Sequence, residues 1–285
     1  MKRTLSVLLC LLMVFLTACE KKPTVTKAPD NNNVAGGFRI HVISLGKADA
    51  ILVTADGEAM LIDAGYDGQG EEITEYLKKQ GVSKLRYLVL THGDRDHVGG
   101  AAEVIRSITV EQVFLSPKKE SSSEYAAMAQ ALADTKTKYS MPELLFTFSL
   151  GKAVFTVLAP GQKALAEGDD NNSSLVLRGV YGERTALFMG DALSKSEKEI
   201  RESGYELRAE VIKIGHHGQK DATTKKFIKE VAPQYALITC SLKEPADEDA
   251  LSVLKAFSVN IFRTDVNGTV VLSTDGTRWE VQTER

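Results

Sequence analysis

Between Thr91 and Gly100 the chain reads Thr-His-Gly-Asp-Arg-Asp-His-Val-Gly-Gly, placing His92, Asp94, Asp96 and His97 within six consecutive positions. Imidazole nitrogens and carboxylate oxygens are the donors that hold divalent metals, and four brought to one point can serve one ion or two. An apolar run, Leu85-Arg86-Tyr87-Leu88-Val89-Leu90, leads into the motif and reads as a buried strand. Val98-Gly99-Gly100-Ala101-Ala102 follows it and reads as the start of a helix. A loop between strand and helix is not bound to a fixed side-chain period, so it can aim all four donors at one place. The competing reading is a polar loop with unconnected His and Asp. Further donors downstream, each at the end of its own apolar run, argue against it.

Those donors are Asp191, after Leu187-Phe188-Met189-Gly190, and His216 and His217, after Val211-Ile212-Lys213-Ile214-Gly215. The chain has five His. His41 falls inside an expected strand, which leaves His92, His97, His216 and His217. That is too few imidazoles for a His-rich dinuclear site, so Asp94, Asp96 and Asp191 must fill the set. Such an oxygen-rich set is harder than an all-imidazole one, which admits Mn²⁺ beside Zn²⁺. Asp191 reads either as one of these ligands or as the cap of the helix beginning near Ser194. Adjacent residues rarely point the same way, so one of His216 and His217 is expected to bind metal and the other to meet substrate or a ligand. Asp96, His216 and His217 are the candidates for the catalytic role. Asp63, before Ala64-Gly65, reads as a turn residue or as one that orients a ligand, with direct ligation the alternative. Lys213 reads as an ordinary strand residue, and Asp265 with Asn267-Gly268 as the last turn.

The elements that must position these groups alternate. Strands are expected over 38–44, 51–54, 59–62, 85–90, 110–115, two within 144–158, 175–180, 185–189, 211–214, 235–239, 261–263, 269–273 and 279–282. Helices are expected over 71–79, from 98 onward, and over 122–133, 194–202, 223–231 and 249–257. Hairpins mixed with strand–helix alternation imply a mixed sheet layered with helices.

The N-terminus has Lys2 and Arg3, an apolar run from Leu5 to Leu16, then Leu16-Thr17-Ala18-Cys19. Charged residues, a short apolar run and small residues at a cut site make a secretory signal, too short to span a bilayer at roughly 20 residues. Leu-Thr-Ala-Cys resembles the bacterial lipobox, which implies a leader over 1–18 and lipid attachment at Cys19. Residues 19–37 hold almost nothing to bury and read as a disordered tether, and 38–285 as one large domain. The formal net charge is −3, and loss of Lys2 and Arg3 would make it more acidic. No block of Lys and Arg marks an extended duplex-DNA footprint. Of three Cys, at 10, 19 and 240, only Cys240 would remain a free thiol, so no disulfide framework forms. Nothing in the sequence sets the oligomeric state.

His92-x-Asp94-x-Asp96-His97 resembles the metal motif of the metallo-β-lactamase superfamily. So do Leu61-Ile62-Asp63-Ala64-Gly65, Leu187-Phe188-Met189-Gly190-Asp191-Ala192 and Gly215-His216-His217-Gly218 in their order. The fold this implies is a four-layer αββα sandwich of mixed α and β structure. Three features are similar to the hydrolase-domain group of ComEC-type competence proteins: Asp at 94, the Asn171-Asn172-Ser173-Ser174 segment before a hairpin, and Gly-His-His-Gly. Gly46-Lys47-Ala48-Asp49-Ala50 also resembles that group's Gly-Gln-Gly-Asp. The resemblance implies that Asn171, Asn172 and Ser174 line the site where relatives carry another His; otherwise they cap and turn the chain. The group's Tyr-Gly-His-Pro segment is absent, since residues 240–247 contain no His. The function implied is a membrane-tethered, extracytoplasmic, metal-dependent hydrolase acting on a small phosphoester or nucleic-acid-derived substrate. A lactone or β-lactam hydrolase is the alternative enzyme. A weakened, metal-binding lipoprotein that serves as a binding module is the alternative from another class.

Overall fold

The computed structural model describes residues 25–27, 37–118 and 120–285. The expected leader, Cys19 and most of the polar segment up to residue 36 lie outside the described residues. In chain order the strands are β1 (Val25–Lys27), β2 (Phe38–Val42), β3 (Ile51–Ala55), β4 (Glu58–Ile62), β5 (Lys84–Leu90), β6 (Thr109–Leu115), β7 (Lys138–Ser140), β8 (Thr147–Leu150), β9 (Ala153–Ala159), β10 (Val176–Tyr181), β11 (Arg184–Phe188), β12 (Val211–Lys213), β13 (Tyr235–Ile238), β14 (Asn260–Arg263), β15 (Val270–Thr274) and β16 (Trp279–Thr283). The α-helices are α1 (Gly70–Lys79), α2 (Arg95–Val98), α3 (Ala101–Ser107), α4 (Ser123–Thr135), α5 (Gln162–Glu167), α6 (Ser194–Glu202), α7 (Lys225–Val231), α8 (Glu248–Ala256) and α9 (Thr264–Asn267).

Among the described residues the strands form two sheets, one of nine strands ordered β1-β16-β15-β2-β3-β4-β5-β6-β7 and one of seven ordered β14-β13-β12-β11-β10-β9-β8. Each is mixed: hairpins such as β2–β3–β4 are antiparallel, whereas β4–β5–β6 and β11–β12–β13–β14 are parallel. Phe38, Ile40, Phe155, Phe188, Leu272 and Trp279 belong to one core that takes side chains from both sheets. A second core joins the other face of the first sheet to α1, α3 and α4 through Ile73, Leu77, Val104 and Leu132. A third does the same for the second sheet through Ile200, Phe227, Ile228 and Leu254. Helix, sheet, sheet, helix is the four-layer sandwich, because each sheet buries both faces.

Local chemistry explains the helix ends. The Ser122 hydroxyl accepts the N–H of Tyr125, and the Asp247 carboxylate accepts that of Asp249, so both helices start on a side-chain cap. Beyond the added short elements β7 and α5, three details depart from the sequence expectation. Within the segment read as a tether, β1 adds a parallel strand to the edge of β16; an edge strand offers unpaired N–H and C=O groups to any adjacent chain. The helix expected from Val98 is broken into α2 and α3 at Gly99-Gly100. A Cβ at Gly99 would lie 2.2 Å from the Asp67 nitrogen, and one at Gly100 2.4 Å from the Ala64 carbonyl oxygen. Only glycine lets the turn after β4 lie that close. Finally, residues 264–267, read as a turn, form the single helical turn α9.

Candidate metal centre

The site is assembled at the ends of strands. Asp63 directly follows strand β4, and its backbone is left-handed at φ 60°. The Asp63 carboxylate accepts the Thr91 N–H and the Thr91 hydroxyl, each at 2.8 Å, which fastens β4 to the end of β5. The same carboxylate accepts Nδ1–H of His97 at 2.8 Å. Because the Thr91 hydroxyl donates to Asp63, its oxygen is left to accept Nδ1–H of His92 at 3.1 Å. The His217 ring is fixed in the same way. The Thr239 hydroxyl donates to Asp49, so its oxygen accepts Nδ1–H of His217 at 2.9 Å. In all three rings Nδ1 is engaged, which leaves the Nε2 lone pair free to bind a metal.

The three Nε2 atoms converge on carboxylates. Nε2 of His97 and of His217 each lie 3.3 Å from Asp191 Oδ2, and Nε2 of His92 lies 4.0 Å from it. His217 Nε2 is 3.4 Å from Asp96 Oδ2, and His92 Nε2 is 3.4 Å from Asp94 Oδ2. His92, His97, Asp96, Asp191 and His217 are buried, while Asp94, expected as a ligand, is half-buried, its side chain 40% accessible, and joins none of the donor sets among the described residues. Yet Nε2 of His92, His97 and His217, together with Asp191 Oδ1, have no hydrogen-bond partner. Buried polar atoms of this kind are rare unless something else satisfies them. Two overlapping donor sets, His92–His97–Asp191 and Asp96–His97–His217, each bring their ligand atoms within 4.8 Å of one another. The residues therefore fit one divalent cation or two.

The electrostatics agree. Burial opposes a charge on His217, yet Asp191 and Asp49 push its pKa up to about 10. His97 is raised well above the ordinary imidazole value by Asp191 and Asp63, again against burial. Burial likewise works against ionised Asp191, but His217 and His97 hold it well below the usual carboxylate range. Burial also works against ionised Asp96, but the charges of the same two rings lower it. A field that draws protons onto these nitrogens also draws a divalent cation, and the two compete for the same lone pairs.

The adjacent histidines are separated by backbone conformation. His216 and His217 are both left-handed, at φ 49° and 56°, an uncommon state for non-glycine residues. This turn buries the His217 ring in the cluster and directs His216 away. His216 is half-buried, its Nδ1 3.2 Å from the Lys220 carbonyl oxygen. It joins none of the donor sets among the described residues, so of the adjacent pair, of which one was expected to bind metal, His217 is the one that sits with the donors. Asn172 and Ser174 also lie behind the site. Asn172 Oδ1 accepts the N–H groups of Leu193 and Ser196 at 3.2 Å, which caps the start of α6. The Ser174 hydroxyl accepts the Asp191 N–H at 3.1 Å. Asn171 is half-buried, and its Oδ1 has no hydrogen-bond partner.

Sequence reasoning missed a supporting layer. Lys213, read as an ordinary strand residue, is wholly buried, with Nζ 2.8 Å from Asp49 Oδ2 and donating to the Ile214 carbonyl. Asp49 in turn carries Thr239 and, through it, His217. Its carboxyl is held well below the usual range: burial opposes ionisation, but Lys213 and His217 outweigh it. Lys47 Nζ lies 3.3 Å from Asp96 Oδ2. The signals available in sequence were a lysine closing the apolar run Val211-Ile212 and an aspartate just before β3.

Residues 44–241 match the family described as the metallo-beta-lactamase superfamily. The ComE operon protein 3 of Bacillus subtilis is 28% identical over 257 residues, covering 81% of this chain and 32% of that protein. The Recombination protein 2 of Haemophilus influenzae is 25% identical, covering 87% of this chain and 30% of that protein. The chain thus spans about a third of the length of the curated relatives it matches. Among solved structures, the metallo-beta-lactamase fold protein YhfI of Bacillus subtilis superposes with a TM-score of 0.55 at 14% identity, covering 82% of this chain and 98% of that one. With this match extending over most of the domain, and with a donor cluster suited to divalent cations, the chain belongs to the metallo-beta-lactamase superfamily and has the fold of its metal-dependent hydrolases.

Proposed function

We propose that this protein is an extracytoplasmic phosphodiesterase of the ComEC hydrolase-domain type, held at the membrane through lipidated Cys19. The observation that carries the catalytic part is the convergence of three unpartnered Nε2 atoms on Asp191 and Asp96. His92, His97, Asp191, Asp96 and His217 would hold the cations, with Asp94 at the exposed side and Asp191 shared. Zn²⁺ and Mn²⁺ both suit a set of three imidazoles and several carboxylates. Such cations supply Lewis acidity toward a phosphoryl oxygen and a water of lowered pKa. The chain's own residues keep the donors in place. Asp63 and Thr91 fix His92 and His97, and Asp49 and Thr239 fix His217, so the rings need not reorganise as charge develops.

The competence-related names of the relatives support a nucleic-acid-derived substrate, and the acidic net charge favours a short or single-stranded one over an extended duplex. Cys19 and the residues around it support the membrane tether. Hydrolysis of bis(p-nitrophenyl) phosphate, short single-stranded DNA and a lactone, each with Zn²⁺ and with Mn²⁺, tests the reading. Metal-dependent turnover of the first two, abolished in Asp96→Ala, is expected. Turnover of the lactone alone would replace the phosphodiesterase with the other hydrolase. A metal-loaded protein that turns over nothing would instead be a binding lipoprotein.

A further inference from the structure

The loop between β2 and β3 carries Lys47 onto the donor cluster, and hydrogen bonds on both sides of Lys47 hold the loop. The Ser44 N–H donates to the Thr269 hydroxyl at 3.2 Å, Gln69 Nε2 donates to the Leu45 carbonyl at 3.1 Å, and the Asp49 N–H donates to the Asp96 carbonyl at 3.1 Å. The last bond links the Lys47 loop directly to the backbone of the His92–His97 motif. The lysine is therefore preorganised in a way that a side chain on a free loop is not.

Lys47 Nζ lies 3.3 Å from Asp96 Oδ2, and its side chain is 16% exposed. Charge-assisted N–H···O bonds are typically about 2.7–2.9 Å, so this pair is loose. An ammonium has three donors and no acceptor. It cannot ligate a cation, and Asp96 uses at most part of its donor capacity. Tyr66, partly exposed, sits in the field of both Asp96 and Lys47 and marks the same side of the cluster. Two other cations beside the motif are committed elsewhere: Lys213 is wholly buried on Asp49 and the Ile214 carbonyl, and Arg95 donates to Glu124.

We infer that Lys47 is a substrate-binding residue that receives a non-bridging oxygen of an anionic phosphoester beside the metal centre. This deepens the phosphodiesterase reading and rests on it. A cation held by Asp96 competes with Lys47 for that carboxylate, which leaves the ammonium to an incoming anion. The centre would then favour substrates that carry a negative charge on the reacting group over neutral esters and lactones. One ammonium also suits a short substrate whose reacting phosphate enters the site itself.

The test compares wild type, Lys47→Met and Lys47→Arg as full-length, metal-refilled proteins of measured metal content. Inorganic phosphate is titrated calorimetrically, and kcat and KM are measured for bis(p-nitrophenyl) phosphate at low and high salt. Losing one charge-assisted hydrogen bond should weaken phosphate binding roughly 10- to 100-fold in Lys47→Met. Lys47→Arg should recover most of it, with metal content equal in all three. For the diester, KM should rise in Lys47→Met and lose part of its salt dependence. Equal phosphate affinity in wild type and Lys47→Met, no phosphate binding by wild type, or a loss confined to metal content would each overturn the assignment. Phosphate binding that depends on Lys47 without any diester turnover would sink the phosphodiesterase reading and leave the lysine's role standing. Diester turnover indifferent to Lys47 would do the reverse.

Discussion

Lys213 and Asp49 form a wholly buried ion pair, Nζ to Oδ2 at 2.8 Å, directly behind the Thr239–His217 contact. A buried pair is weak evidence of net stability, but removing one partner strands the other charge. Lys213→Met should therefore destabilise the chelated protein by about 3–5 kcal/mol, read from urea unfolding. The Lys213→Met/Asp49→Asn double variant should be more stable than the sum of the two single losses implies. Strict additivity would mean that the pair does not act as a unit.

Asp63 sets the orientation of His97 by accepting its Nδ1–H. Asp63→Asn keeps the shape but presents a weaker acceptor and a competing donor. Metal affinity should fall roughly 10- to 100-fold, the usual penalty for losing a partner behind a ligand. Competition with a chromophoric chelator measures it. Unchanged affinity would show that the ring is held by packing alone.

The two adjacent histidines should behave differently. His217→Ala should remove a ligand and lower both metal content and turnover. His216→Ala should keep the metal content of wild type, because that ring points away from the cluster. Elemental analysis of both variants decides it, and loss of metal in His216→Ala alone would reverse the assignment.

His41, wholly buried with Nδ1 2.9 Å from the Tyr76 hydroxyl, supplies a pH dependence away from the site. Burial, aided by the Arg39 charge, lowers its pKa from 6.5 to about 3. Below about 6.5 the unfolded chain takes up a proton that the native ring refuses. Its contribution is thus complete above that pH and is lost as pH falls toward 3, at up to about 1.4 kcal/mol per pH unit. The stability gap between wild type and His41→Phe should therefore narrow from pH 7 to pH 5 in urea unfolding. A constant gap would show that the buried imidazole accepts its proton normally.

Cys19 lies outside the described residues, and its lipidation is tested by fractionation. Wild type should partition with membranes and Cys19→Ser with the soluble fraction. Two chains or more are needed for stable anchoring, so a Cys19→Ser protein that stays with membranes would contradict the anchor.

The compact motif from His92 to His97 was legible because its donors are close in sequence and follow an apolar strand. Asp63 and Asp191 were legible because each ends such a strand. The layer behind them was not. Thr239 reaches Asp49 across 190 residues, and no local pattern announces a contact of that range. Lys213 closes a short, fully buried strand, where the apolar run hid the one residue that is rarely buried without a partner. The choice between His216 and His217 depends on two left-handed residues in succession, which sequence spacing does not reveal. The fold itself came through because hairpins and strand–helix alternation leave different hydrophobic patterns. The three-residue β1 escaped notice because its pairing comes from the open edge of β16.

The central claim is that the His–Asp cluster is a divalent metal centre, and metal stoichiometry tests it most directly. Protein stripped with chelator and refilled with Zn²⁺ or Mn²⁺ should retain between one and about two equivalents after exhaustive dialysis, as a paired-ion hydrolytic site requires. Asp191→Ala should retain less. Retention below about half an equivalent of either metal, at a site with these donors, would contradict the account.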